Sequence, residues 1–276
     1  MKIDRKSNLS IDQFASGYLE KNIPVIVTDA ISRWPAPQML NINFISVNLG
    51  HFEVQIYDDL FSLENICQLQ QYLDEYWWVK PHFKTRVPYV RWYAKFKDVD
   101  FVWADEAFSM IEKAWALPYF LPVTDYLLPR CAPPNIISPV HDSFPAKGIF
   151  ISAAGARTRL HEDPWCSDAI LCQLIGRKKV LMFRPERRDE LTNAGVPIDV
   201  ENSAPVVQAD FDDVLEPAEV LFIPAGWLHH LNTLTNSVSL TWNFVHRSHS
   251  RNYTDYIRGG VPDSERAVLQ YFSCLR

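Results

Sequence analysis

The chain has 276 residues, of which 47% are hydrophobic and 13% aromatic, so it is long enough to bury a sizeable core. Lysine and arginine total 27 against 33 aspartate and glutamate residues, and this net charge of −6 argues against a nucleic-acid or anionic-membrane partner. The 5 cysteines are scattered without a C-x-x-C pair, which argues against a disulfide framework or a structural zinc site and favours a reducing, cytoplasmic location.

The first half of the chain predicts a mixture of helices and strands. Ser10 and Gln13 form a capping-box pattern that begins a helix over about 11–21, and the apolar run IPVIVTDA predicts the next strand. Helical spacing of apolar residues predicts a second helix through LENICQLQQYLDEYW, capped by Ser62. A strand at RVPYVRWYAKF, a helix at WADEAFSMIEKAW and a Pro-interrupted connector at VTDYLLPRCAPPN follow. No apolar run approaches the ~20 residues that a membrane span requires.

From about residue 147 the pattern changes to short β-branched runs separated by turn residues, typical of an antiparallel barrel or a double-sheet jelly roll. A last helix is predicted at SERAVLQYFSCL (264–275). We expect a mainly β protein with flanking helices, organised as a mixed α/β region over 1–135, a β core over 136–248 and a helical segment over 249–276, all within one integrated domain. The predicted core strands are GIFISAAG, DAILCQLIG, KKVLMFRP, PVVQADF, EVLFIPAG and VSLTWNFV.

One short motif has the spacing of metal ligands. His161 and Asp163 are two apart on a predicted strand, so both point to one face while Glu162 points away. A later turn, Pro-Ala-Gly, leads to His229 and His230, either of which could complete a set of two imidazoles and one carboxylate. Such a set leaves three positions open on the metal, as in non-haem Fe(II) oxygenases. The alternative is a chance H-x-D pair beside two structural histidines.

Four motifs together carry a resemblance to a known family. The segments LHEDP, LIGRKKVLMFRP, EVLFIPAGWLHHL and SVSLTWNF lie in order between residues 148 and 246. In this order they resemble the Jumonji-C and cupin-like oxygenases, which include asparaginyl and lysyl hydroxylases. The resemblance implies a double-stranded β-helix core of the cupin type, Fe(II) as the metal, and 2-oxoglutarate and O2 as cosubstrates. It assigns the iron to His161, Asp163 and His229, and leaves His230 structural on the other face of its strand.

The resemblance also implies where 2-oxoglutarate binds. Its distal carboxylate needs a cation, because a buried carboxylate without a partner is costly. Lys178, after the Gly176 turn, matches the family lysine, whereas Lys179 reads as a solvated turn charge. The family positions that complete the cosubstrate site correspond to Thr158, Tyr93, Thr241 and Asn243. The family also has an Asn in the strand after H-x-D, where this chain has Ala169-Ile170-Leu171, so one polar contact is missing or supplied elsewhere.

By the same resemblance, the expected reaction is hydroxylation of a C–H bond in a peptide or protein side chain. A small biosynthetic metabolite is the next reading, followed by an N-methyl-lysine demethylase and by a metal-binding cupin without catalysis. Trp165 and Trp92 are candidate walls of a substrate groove, and Arg159 is a candidate contact for an anionic substrate. We expect no nucleic-acid or membrane partner, and a homodimer through the C-terminal helix is a further possibility to test.

Overall fold

The computed structural model describes residues 1–35, 40–79, 86–93, 102–131, 136–137, 147–204, 206–259, 261, 266 and 269, and at 93 and 102–105 it describes the backbone alone. The strands are β1 (Asp4–Lys6), β2 (Val25–Val27), β3 (Glu53–Tyr57), β4 (Leu63–Gln68), β5 (Tyr89–Tyr93), β6 (Tyr126–Leu128), β7 (Gly148–Ser152), β8 (Arg157–His161), β9 (Asp168–Ile175), β10 (Lys178–Phe183), β11 (Thr192–Asn193), β12 (Val196–Pro197), β13 (Phe211–Leu215), β14 (Val220–Ile223), β15 (Leu228–Thr233) and β16 (Ser237–His246).

The helices are short, and three of them pass from α-helical into π-helical turns. These three are α1 (Ile11–Phe14, then Ala15–Leu19), α2 (Ile42–Phe44, then Ile45–Leu49) and α3 (Leu69–Tyr72, then Leu73–Trp77). The others are α4 (Val102–Ile111), α5 (Arg188–Leu191) and α6 (Ser250–Arg258). The capping box predicted for the first helix is confirmed, because the Ser10 side chain accepts from the Gln13 N–H and the Gln13 side chain accepts from the Ser10 N–H.

Two sheets face each other to form the core. The major sheet has the strand order β1-β2-β14-β9-β16-β7-β5-β3-β4, with β6 paired to β16, and the minor sheet has the order β13-β10-β15-β8. Between them lies an apolar cluster that includes Leu171, Met182, Leu221 and Trp227. This pair of sheets, with helices at the periphery, confirms the predicted jelly-roll core. Strands β10 and β15 pair antiparallel at the centre of the minor sheet, where Met182 lies opposite His229.

Strands from both halves of the chain share the major sheet. Strand β2 pairs with β14, and β5 pairs with β7, so hydrogen bonds join residues before and after position 135. The helices of the first half bury large side chains against the same sheet, among them Phe14, Leu19 and Tyr72. The boundaries 1–135, 136–248 and 249–276 remain a prediction.

Two predicted elements differ from the structure. Residues 63–68 form β4, paired antiparallel with β3, and the helix begins only at Leu69, so the predicted helix over 63–77 is wrong in its first part. Pairing with a neighbouring strand overrides helical spacing there, and Leu63 and Ile66 are 50% and 40% exposed rather than buried. The strand predicted at 205–211 lies instead at β13.

The predicted C-terminal helix falls outside the described residues except for positions 266 and 269, and α6 precedes it.

Among the described residues, Cys67, Cys166 and Cys172 have free thiols, while Cys274 lies outside the described part of the chain. Burial raises the pKa of the Cys172 thiol well above its usual range, so this side chain behaves as an apolar filler. Within the described part of the chain, no helix combines the length and the apolar character needed to span a bilayer.

Candidate metal centre

Two neighbouring strands of the minor sheet bring the predicted ligands together. His161 ends β8 and lies directly opposite His229 of β15, with their ring centroids 4.1 Å apart. Asp163 follows two residues after His161, at the head of a 3-10 turn (Pro164–Cys166). One ligand atom from each of these three residues lies within 4.8 Å of the others. The register of β8 and β15 therefore selects His229 for this cluster, and His230 points to the other face.

Hydrogen bonds orient both imidazoles toward the same point. The Nδ1 atom of His161 lies 2.8 Å from the Arg159 carbonyl, and that of His229 lies 3.1 Å from the Trp227 carbonyl. A carbonyl only accepts, so each Nδ1 must donate, which leaves each Nε2 lone pair available as a ligand. Burial, reinforced by the neighbouring imidazole, lowers the pKa of His161 well below its usual range, which favours the neutral ring that a metal requires.

One oxygen of the Asp163 carboxylate has no hydrogen-bond donor among the described residues. Asp163 Oδ2 is buried and accepts no hydrogen bond from the described residues, and it lies 3.9 Å from His229 Nε2. A buried acceptor that lacks a donor is costly unless something else occupies its lone pairs. Two imidazole nitrogens and one carboxylate oxygen, all unused and converging, fit a divalent first-row metal with open coordination positions.

The turn before His229 is fixed by the rest of the fold. Gly226 has φ +81°, a left-handed conformation that favours glycine. The Ala225 N–H donates to Asp168 Oδ1, and the Trp227 indole N–H donates to the Asn22 carbonyl over 2.9 Å. Contacts from β9 and from the residues after α1 therefore set the path that leads into β15.

The backbone after Asp163 is strained. Trp165 and Cys166 have φ values of +65° and +51°, which cost about 1–3 kcal/mol each for residues other than glycine. The Trp165 side chain is buried in an apolar cluster with Leu127, Leu128 and Val245. Because this anchor holds the turn in place, the Asp163 carboxylate remains directed toward the two histidines.

A cavity of about 290 Å³ opens beside the three clustered side chains. Lys178 lines it and is only 7% exposed, and among the described residues its ammonium makes no ion pair or hydrogen bond. Burial lowers the pKa of Lys178 to about 8. Its strand begins after Gly176, where φ is +73° and a Cβ would overlap the Asn236 carbonyl oxygen. A buried ammonium without a counter-ion suits the distal carboxylate of a dicarboxylate.

Three further residues predicted to bind the cosubstrate line the same cavity: Thr158, Thr241 and Asn243. A β-bulge in β8 brings Thr158 to the same wall as His161, because three residues of β8 span two of β15. The Thr241 hydroxyl donates to the Ile170 carbonyl, and the Asn243 amide donates to the Ser167 hydroxyl. Tyr93 ends β5, and its side chain lies outside the described part of the structure.

The predicted substrate contacts divide into one at the cavity and two elsewhere. Trp165 lines the cavity. Trp92 is fully buried in the main core, with its ring 5.9 Å from that of Phe108, and it does not line the cavity. Arg159 does not line the cavity, and its Nε atom lies 3.7 Å from Asp199 Oδ2. The substrate contacts assigned to Trp92 and Arg159 stay predictions.

The sequence reading missed a group of cavity residues from the major sheet and the β3–β4 turn. Arg91 is the charged member of this group, and its guanidinium carbon lies 4.4 Å from the Phe61 ring centroid. The alternation of side chains along β5 could have predicted Arg91, because a buried Trp92 requires Arg91 to face the opposite side of the sheet. The missed residues are Tyr57, Phe61, Arg91 and Phe150.

Comparison with known proteins matches residues 68–252 to the cupin-like domain family. Similar curated proteins include "Arginine-specific demethylase JMJ22" of Arabidopsis thaliana, 22% identical over 93% of this chain and 48% of its own length. Others are "2-oxoglutarate and iron-dependent oxygenase JMJD4" of Homo sapiens, 22% identical over 86% of this chain and 59% of its own length, and "Lysine-specific demethylase JMJ30" of Arabidopsis thaliana, 23% identical over 87% and 54%. The chain thus spans less than two thirds of these relatives. From the matched domain and these Jumonji-type relatives, we conclude that this chain belongs to the cupin-like family of Jumonji-type proteins.

Proposed function

We propose that this chain is an Fe(II)- and 2-oxoglutarate-dependent oxygenase that hydroxylates a C–H bond in a peptide or protein side chain. One observation carries the proposal: within the described structure, three metal-ligand atoms without other partners and the buried Lys178 ammonium without a counter-ion line the same cavity. His161, Asp163 and His229 would hold the iron. Names of several relatives, which include iron- and 2-oxoglutarate-dependent oxygenases, support the same assignment.

Each cavity residue has a separate role in such a reaction. Iron with bound 2-oxoglutarate supplies the oxidising chemistry, and the protein supplies position and exclusion of water. Lys178 neutralises the distal carboxylate of 2-oxoglutarate, and Thr158 provides a hydroxyl near it. Thr241 and Asn243 face the cavity from β16, opposite Leu171 and Ala169 of β9.

Demethylation of an N-methyl group is a second candidate, and the names of the plant relatives favour it. It uses the same hydroxylation step, because an N-hydroxymethyl product loses formaldehyde. A metal-binding cupin without turnover, or a hydroxylase of a small metabolite, would use the same ligands. A cytoplasmic location and a homodimer formed through residues 264–275 remain further parts of this proposal.

Succinate formation from 2-oxoglutarate with Fe(II), ascorbate and O2 tests the proposal. We expect His161→Ala, Asp163→Ala and His229→Ala to lose metal-dependent turnover while keeping the folded circular-dichroism spectrum of the wild type. His230→Gln is the matched control, because His230 lies on the opposite face of β15. Formaldehyde release alongside peptide mass changes of about 16 or 14 Da separates hydroxylation from demethylation. No turnover together with no Mn(II) binding would refute the proposal.

A further inference from the structure

Two cations face the same cavity from opposite sheets. Lys178 projects from β10 of the minor sheet, and Arg91 projects from β5 of the major sheet. Both approach the ring of Phe150, with the Arg91 guanidinium carbon at 5.5 Å and the Lys178 ammonium at 6.0 Å from its centroid. The proposed oxygenase function uses only one of these cations, for the distal carboxylate of 2-oxoglutarate.

Arg91 is the cation associated with the metal side of the cavity. Its guanidinium lies 4.4 Å from the ring centroid of Phe61, and the edge of that ring meets His161 at 4.6 Å between centroids. Tyr57 gives a third ring contact at 5.4 Å. Aromatic contacts engage the faces of a guanidinium, whereas its N–H donors point along its plane. These three rings hold the Arg91 guanidinium at the cavity wall, where a planar carboxylate matches its fork of N–H donors.

The charge of the cavity also favours an anionic substrate. With His161 and His229 bound to the metal through their neutral rings, the charges on the described lining residues are those of Arg91, Lys178 and Asp163, which leaves one excess positive charge. A divalent metal and a dicarboxylate cosubstrate cancel each other, so the excess remains when both are bound. A lysine or arginine substrate would add a second positive charge to a cavity that already carries an unbalanced one.

We propose that Arg91 binds a carboxylate of the primary substrate, so that the hydroxylated C–H bond lies close to an acidic group. This inference rests on the proposed oxygenase function and names its substrate class. The carboxylate belongs either to an aspartate or glutamate side chain of a peptide or to a small carboxylic acid. Arg91 replaces Arg159 as the anion contact, because Arg159 lies outside the cavity and close to Asp199.

The test uses the protein loaded with Mn(II) and N-oxalylglycine, whose binding is first measured by calorimetry. Proton relaxation by Mn(II) then reports which added compounds approach the metal, even when they bind weakly. The peptide probes are capped pentapeptides with a central Asp, Glu, Asn, Gln, Lys or Arg, and the small-molecule probes are butyrate and butyramide. We expect an acidic probe to be relaxed more strongly than its amide counterpart, and the arm that responds identifies the source of the carboxylate.

Variants connect this preference to Arg91. Arg91→Gln should lower the affinity for the acidic probe by about tenfold or more. Arg91→Lys should keep part of that affinity, because the positive charge remains while the planar set of N–H donors is lost. N-oxalylglycine affinity should change less than threefold in both variants. Arg177→Gln is the matched control, since Arg177 is exposed and pairs with Glu216.

Three results would overturn the inference. Equal relaxation by acidic and amide probes, whether strong or absent, means that the cavity has no preference for a carboxylate. Stronger relaxation by the Lys or Arg peptide contradicts the charge argument. Loss of N-oxalylglycine affinity in Arg91→Gln, of the size seen in Lys178→Ala, assigns Arg91 to the cosubstrate instead. Failure of the wild type to bind Mn(II) and N-oxalylglycine at all refutes the proposed function itself, which keeps the two failures distinct.

Discussion

Two buried groups of histidine and aspartate lie in this fold, and they differ in how their polar atoms are used. In the candidate metal centre, Asp163 Oδ2 has no donor within the described structure, and His161 and His229 present unused Nε2 atoms to a cavity. In the second group, His249 and Asp168 meet at the start of β9, 2.9 Å apart, and neither faces the cavity.

Every polar atom of the second group has a partner. His249 Nδ1 contacts Asp168 Oδ2, and His249 Nε2 contacts the Leu19 carbonyl at 2.9 Å. The other oxygen of Asp168 accepts from the Ala225 N–H. Burial alone lowers the pKa of His249, but the Asp168 carboxylate and the Leu19 carbonyl raise it above its usual value. Both ring nitrogens therefore donate, as an imidazolium does.

Whether the polar atoms have partners therefore distinguishes a structural ion pair from a ligand site built from the same residue types. A satisfied buried pair stabilises the fold by connecting α1, β9 and the turn before β15, and it leaves nothing for a ligand to bind. Unsatisfied acceptors beside a cavity contribute little to folding and are available for binding. Each prediction below tests whether a residue belongs to the first class or to the second, from the largest expected effect to the smallest.

Asp168→Asn should produce the largest loss of stability. Asp168 is completely buried, and the variant leaves the His249 imidazolium without its counter-ion, which costs about 3–5 kcal/mol. Urea denaturation of the metal-free protein measures the free energy of unfolding. Asp74→Asn is the matched control, because Asp74 is exposed on the helical segment that begins at Leu69. A loss below 1 kcal/mol for Asp168→Asn would contradict the view that this pair is structural.

Lys178→Ala should produce the largest loss of cosubstrate affinity. Removing one partner of a desolvated, charge-assisted contact costs about 2–5 kcal/mol of binding free energy. Titration of 2-oxoglutarate into the Mn(II)-loaded protein measures it. Lys179→Ala should change the affinity little, because Lys179 pairs with Asp212 at the protein surface. Equal effects of the two substitutions would show that the wrong face of β10 has been assigned to the cosubstrate.

The His249–Asp168 pair should give stability a pH dependence. Because the folded pKa of His249 lies above its usual value of 6.5, its contribution is fully present below pH 6.5 and is lost as pH rises through the folded pKa. We expect the difference in unfolding free energy between wild type and His249→Gln to shrink over that range. The lowered pKa of Lys178 makes stability rise with pH between pH 8 and 10.5, which is the opposite direction. Because both the wild type and His249→Gln contain Lys178, this contribution cancels in the difference between them. A difference that grows with pH would assign a neutral imidazole to His249.

Asp163→Asn should have the smallest effect on the metal-free protein. The Asp163 carboxylate receives no hydrogen bond at Oδ2 from the described residues, so losing its charge should change the free energy of unfolding by less than about 1 kcal/mol or raise it slightly. The same variant should lose Mn(II) affinity, which separates the two roles. If metal-free Asp163→Asn were destabilised as much as Asp168→Asn, Asp163 would belong with the structural pair.

The sequence by itself determined the local features of this protein. The capping box at Ser10 specified where α1 begins, since it acts within one helical turn. Short β-branched runs separated by turn residues predicted the jelly-roll core, and the H-x-D spacing placed His161 and Asp163 together before any fold was known. These features depend on neighbours in sequence, where backbone geometry alone determines which side chains meet.

Only the tertiary structure decided how distant segments combine. The register of β8 against β15 chose His229 over His230, and the bulge in β8 brought Thr158 to the wall of His161 while removing Arg159 from it. Pairing with β3 turned residues 63–68 from a predicted helix into a strand. Arg91 became a cavity residue because β5 pairs with β7 in the major sheet. Strand register and bulges arise from packing between distant parts of the chain, and no local pattern specifies them.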